Sequence, residues 1–123
     1  MSNTVNRFAT EEPTACAVCR RHAVWLGYGP PKRERPPVIW LCDDNGCHAA
    51  ANKVYAMPKE MLDAYEIGAA LEAGAEAGAY LEEISKTDIA TLDASEWREF
   101  LRRLFVGYEL ALRRKIQNNE PPF

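Results

Sequence analysis

Four cysteines carry the clearest chemistry in this 123-residue sequence: Cys16 and Cys19 enclose two residues, and after twenty-two more residues Cys42 and Cys47 enclose four. Two intervening residues on a tight turn bring both sulfurs of Cys16-Ala-Val-Cys19 to one side of the loop. Two such pairs supply the four soft donors of a tetrahedral zinc ion. The competing fates are two disulfide bridges or unrelated buried thiols. The amino terminus, Met1 to Glu12, is polar and lacks the apolar run of a secretory signal. A reducing compartment then keeps the thiols free for metal. The expectation is a structural Zn2+ held by Cys16, Cys19, Cys42 and Cys47 in a cytoplasmic protein.

Two histidines compete for ligand roles. His48 adjoins Cys47, but neighbouring residues on a helix point about 100° apart, so both cannot easily serve one ion. His22 lies three residues beyond Cys19. A surface or hairpin position is the reading for each. A catalytic zinc keeps an open coordination position and works beside an acid or base, as in the His-x-Glu and Pro-Cys-x-x-Cys pattern of nucleobase deaminases. Here Ala49 and Ala50 follow His48, Ala15 precedes Cys16, and four thiolates saturate the ion. No nucleophile elbow, phosphate loop or His-Glu-x-x-His helix occurs in the sequence either. The chain reads as a binding protein rather than an enzyme.

The elements that position the cysteines follow from local composition. His22 to Tyr28 is rich in strand formers, and Val38 to Leu41 returns as a second strand that delivers Cys42. Between them, Gly29 to Pro37 holds four prolines, which exclude regular helix and central strand and leave a stiff loop. Asp43 to Gly46 supply turn and cap residues, and the alanine-rich segment from Cys47 to Tyr55 reads as a short helix. Knuckle, hairpin, then a helix whose first turn gives the last ligand: this order resembles the treble-clef group of zinc modules, especially small forms with a Trp-Leu-Cys entry, here Trp40-Leu41-Cys42. The resemblance covers Cys16 to about Met57. Four residues rather than two between Cys42 and Cys47 leave a zinc-ribbon arrangement open. More loosely, the chain resembles a family of short proteins of alphaproteobacteria and their phages, from the knuckle through Trp40-Leu-Cys42 to Lys86-Thr-Asp88 and Glu96-Trp97. That resemblance implies no particular activity.

From Pro58 onward the pattern is helical. One helix is expected from Pro58, well placed for a first turn, to about Ile84, with Leu62, Tyr65, Ala69 and Leu81 on one face. Ala70, Gly74, Ala77 and Gly78 form a strip of small residues on it, read as a seam for close packing against another helix or a second copy. Asp93 and Glu96 have the spacing of a capping box opening a second helix. Its apolar residues Trp97, Phe100, Leu101, Leu104, Phe105, Tyr108, Ala111, Leu112 and Ile116 form a wide stripe, expected to be core. The predicted fold is therefore α+β: a four-cysteine zinc module over residues 1–57, built on a hairpin and short helix, followed by a helical hairpin over 58–123 packed on it as one compact unit.

At 47% apolar residues the sequence is that of a globular domain, and no stretch approaches the roughly eighteen apolar residues of a membrane span. The net charge is −3, unevenly spread: +2 over residues 1–57, −8 over 58–96 and +3 over 97–123. Basic Arg20, Arg21, Lys32, Arg33 and Arg35 interleave with Trp25, Tyr28 and Trp40, a combination that can hold phosphates and stack bases. Five acidic residues in the same segment weaken that footprint. The acidic middle, Glu60, Asp63, Glu66, Glu72, Glu76, Glu82, Glu83 and Asp88, reads as a solvated helix face or as a nucleic-acid-like surface that blocks a nucleic-acid-binding protein. The stiff Pro-flanked loop loses little entropy on docking. A protein-binding adaptor or inhibitor is therefore the expectation; the resemblance to proteins of alphaproteobacteria and their phages implies one encoded by a phage or mobile element and directed at a host factor, with anti-defence the role of the acidic-surface variant. Nucleic-acid binding and a structural part in a virion or assembly are the alternatives, with homo-oligomerisation through residues 70–78.

Overall fold

The computed structural model describes residues 15–24, 26–29 and 38–120, a mixed architecture that is mostly helical. Strand β1 (Leu26–Tyr28) pairs antiparallel with β2 (Ile39–Leu41), in the register Leu26 with Leu41, Gly27 with Trp40 and Tyr28 with Ile39. Helix α1 (Asn45–Ala56) follows, then α2 (Lys59–Glu83), a single 3₁₀ turn (Ile89–Thr91) and α3 (Ala94–Gln117). Trp25, Lys32, Arg33 and Arg35, together with most of the Pro-flanked loop, lie outside the described residues.

Helix ends follow their cap chemistry closely. Asp44 caps α1 by accepting from the Gly46 amide, so the helix starts two residues ahead of Cys47 and places that cysteine in its first turn. Pro58 precedes α2, its carbonyl accepting from Leu62 at 3.0 Å. Asp93 and Glu96 form the full capping box of α3. Helix α2 stops at a turn in which Ser85 adopts a left-handed φ of 57°, with Ser85 bonded to Glu82 and Lys86 to Leu81. This is the Schellman arrangement, built here without glycine.

Helices α2 and α3 form an antiparallel hairpin, as their ion pairs show: Glu83 meets Arg103 at 2.7 Å, while eleven residues earlier Glu72 meets Arg114 at 2.7 Å. Lys86 and Glu96 close the connecting turn at 2.6 Å. The buried face of α2 is Leu62, Tyr65, Ala69, Ala73 and Ala77. Of the expected small-residue seam, Ala77 is buried on this face, but a side chain added at Gly74 or Gly78 would meet nothing within 4 Å. The close approach is made by Gly107 of α3, where an added Cβ would stand 3.3 Å from the Cα of Ala73.

One cluster of buried residues joins the sheet, α1 and the hairpin, running from Cys16, Val18, Ile39 and Val54 to Leu62, Tyr65, Leu112 and Ile116. The wide stripe of α3 is core only at its carboxyl end, where Ala111, Leu112 and Ile116 are buried. Toward the amino end Trp97 and Phe105 are 43% and 60% exposed. Length explains the difference. Helix α3 has 24 residues and α1 only 12, so at 1.5 Å per residue α1 spans about 18 Å of the roughly 36 Å that α3 offers. The uncovered half faces outward.

Candidate metal centre

The knuckle is a tight loop closed by backbone bonds. Cys16 donates to the Arg21 carbonyl at 2.6 Å, Arg20 donates to the Cys16 carbonyl at 2.9 Å, and Ala15 bridges His22. Arg20 takes a left-handed φ of 74°, which turns the chain back after Cys19. The loop is tied to the sheet by Ala17, which donates to the Trp40 carbonyl at 2.9 Å, and by Val24, which donates to Leu41 at 3.0 Å. Cys42 follows directly on the end of strand β2, and the first turn of α1 carries Cys47.

These elements bring all four cysteines together as buried free thiols, with every sulfur within 4.8 Å of every other. Tetrahedral thiolate coordination with bonds of about 2.3 Å gives sulfur–sulfur edges of about 3.8 Å, and Cys19 and Cys42 stand at 3.8 Å. The set can therefore hold a metal ion with modest contraction of the longer edges. Four sulfur donors complete a tetrahedron and leave no ligand position open.

The sulfurs already interact electrically. Hydrogen bonds from Cys19 and Cys47 draw the Cys16 thiol far below the ordinary range. As donors to Cys16, Cys19 is pushed up to about 12 and Cys47 higher still. A thiol ligates metal only as the thiolate, so metal uptake at this cluster would be coupled to proton release. Around the sulfurs, the Val18 amide donates to Cys16 at 3.4 Å, and the Arg113 guanidinium of α3 reaches Cys47 at 3.9 Å and the Asp44 carboxylate at 3.4 Å. Burial opposes the charge of Arg113, but Cys47 and Asp44 more than offset that penalty and raise its pKa.

The histidines stand apart from the sulfur cluster. His48 is exposed and its Nε2 lies 2.7 Å from the Cys42 carbonyl; His22 is exposed beside the knuckle. Of the basic and aromatic candidates, Arg20 is paired with Glu66 at 2.6 Å and donates to the Cys16 and Ala17 carbonyls. Arg21 is exposed and Trp40 half-buried. Tyr28 packs edge-on against Tyr55 with ring centroids 5.7 Å apart. Among the acidic candidates, Glu66, Glu72 and Glu83 are engaged by Arg20, Arg114 and Arg103, while Glu76 and Glu82 are exposed.

Arg113 is the residue that sequence reading missed. The run Arg113-Arg-Lys115 fits the negative end of a helix dipole without any ligand. In the fold its members part: Arg113 faces the sulfurs, while Arg114 and Lys115 grip Glu72. No local pattern carries that distinction, because it depends on α3 crossing α1. Compared with known proteins, the chain matches no family model, no curated protein and no solved structure.

Proposed function

We propose that the chain is a non-enzymatic zinc protein that acts as a protein-binding adaptor or inhibitor in a reducing compartment such as the cytoplasm. Tetrahedral all-thiolate sites suit zinc or iron–sulfur chemistry. The loop–sheet–helix order of the ligands favours a structural zinc in a treble-clef-like module. That module anchors the carboxyl half of α3.

The observation that carries the binding role is the uncovered half of α3. Trp97 and Phe105 are exposed there, with Trp97 stacked on Phe100, ring centroids 5.6 Å apart. On a different side of α3, against α2, the exposed Val106 and Leu110 line a separate groove of about 430 Å³ whose charged walls include Glu72, Glu76 and Arg102. Exposed apolar side chains gathered beside a polar rim mark protein contact sites more often than nucleic-acid sites. Arg20 is committed to Glu66, and three carboxylates of the acidic helix are committed within the chain, so the phosphate-binding and nucleic-acid-mimic readings draw less support. No helix among the described residues is long and apolar enough to cross a membrane. The test is capture from host lysate with the zinc-loaded chain, its Phe105→Glu variant and its Arg21→Glu variant, with and without nuclease. A partner lost only with Phe105→Glu is the expected result. Partners lost with Arg21→Glu or on nuclease treatment overturn it in favour of nucleic acid.

A further inference from the structure

Four thiolates around a divalent ion carry a net charge of −2, and the four cysteines here are at most 1% exposed. Negative charge held out of water must be offset by donors and cations within the fold. The Val18 amide and the amino-terminal end of α1 around Cys47 each supply part of this. Arg113 supplies a full positive charge, from a helix sixty-six residues further along the chain than Cys47.

Its placement is accommodated on both sides. The Asp44 carboxylate that caps α1 also pairs with the guanidinium, so a single nitrogen, Arg113 Nη1, stands 3.4 Å from the cap of the helix and 3.9 Å from the sulfur in its first turn. The stem lies over Gly46: a Cβ added there would stand 3.3 Å from the Arg113 Cδ, 2.9 Å from the Asp44 Oδ1, and in clash with the Gln117 amide. A glycine in α1 and an arginine in α3 thus fit each other at the metal centre.

We propose that Arg113 is a positioning residue of the metal centre: it donates to the Cys47 thiolate, offsets part of the site's negative charge, and links metal occupancy to the docking of α3 on α1. The proposal rests on the four-thiolate reading above. Lysine keeps the charge but replaces the broad, weakly hydrated guanidinium with a compact, strongly hydrated ammonium, which is less suited to a buried sulfur. Partners of metal ligands generally tune affinity by about 10- to 100-fold.

The test titrates the full chain and its Arg113→Gln and Arg113→Lys variants with Co2+ and Zn2+ against a competing chelator. Arg113→Gln is expected to bind about 10- to 100-fold more weakly, with its sulfur-to-cobalt charge-transfer band moved to longer wavelength because the Cys47 lone pair loses a donor. Arg113→Lys should fall between it and the native chain. Native affinity and an unshifted band in Arg113→Gln would overturn the proposal. So would equal losses in both variants accompanied by reduced helicity of the loaded protein, which would make packing the cause. Should the native chain itself show no four-sulfur cobalt spectrum, the metal reading fails first and is distinguished from failure of the Arg113 role.

Discussion

The described residues between 15 and 57 surround four buried cysteines with few buried large apolar side chains, Val18, Ile39, Leu41 and Val54 among them, on a two-stranded sheet of three-residue strands. Residues 58–120 instead form two helices of 25 and 24 residues, pinned by Glu72, Glu83 and Lys86 to Arg114, Arg103 and Glu96, and leave large apolar groups in water. The first region has too little core to fold without help, since a module of about forty residues buries too small a share of its surface. The second has regular helices and its own seam. Metal is therefore expected to matter unequally: decisive for the cysteine module, secondary for the hairpin.

The sharpest way to break that contrast is Cys16→Ser or Cys42→Ser. Structural thiolate sites contribute on the order of 10 kcal/mol of apparent binding free energy near neutral pH, more than a small module can replace. Both variants should lose amide dispersion and protease resistance over residues 15–57 while much of the helical circular dichroism of α2 and α3 persists. Uptake releases protons, so acid should produce the same selective loss in the native chain. A metal-free variant with an intact, protease-resistant amino-terminal half would show that the cysteines are ordinary core residues.

A second comparison lies within α3. Leu112 is fully buried in the cluster shared with Cys47, Val54 and Tyr65, and Phe105 is 60% exposed only two turns away. Leu112→Ala should cost about 2 to 5 kcal/mol in denaturant unfolding of the metal-loaded protein, and Phe105→Ala less than about 1 kcal/mol. A Phe105→Ala cost approaching that of Leu112→Ala would mean that the amino half of α3 is covered and would remove the docking face.

These contrasts mark what the sequence could reveal. The gathering of the four cysteines into one cluster was legible because CxxC spacing, strand formers and the Asp43 to Gly46 cap constrain neighbouring residues directly. The capping box at Asp93 and Glu96 was legible for the same reason. The stripe of α3 was not, since periodicity reports which residues share a face but not how much of that face another helix is long enough to cover. The Ala70 to Gly78 strip misled in a related way: small residues permit close approach, yet the approach occurs between Gly107 and Ala73, and of the strip only Ala77 shares that buried face while Gly74 and Gly78 have open space beside them. The Arg113 contact depends on tertiary crossing alone.

The smallest effect belongs to the clasp of the hairpin and has a definite pH sign. Hydrogen bonds from Arg114 and then Lys115 hold the Glu72 carboxyl below its usual value. A carboxylate with a lowered folded pKa stabilises the protein above its unfolded pKa, and that contribution disappears as pH falls through the folded pKa. Glu72 is 40% exposed, so solvent screens the pair and the contribution at neutral pH should be under about 1 kcal/mol. Glu72→Gln should thus lower stability slightly at pH 7, converge with the native chain in acid, and leave cobalt affinity unchanged because the pair lies on the α2 side of α3. Equal destabilisation at all pH values would assign the effect to packing around Lys115, which is 8% exposed beneath that carboxylate. A change in cobalt affinity would instead show that the hairpin and the metal module share one electrostatic network, with Arg113 and Arg114 as its adjoining members.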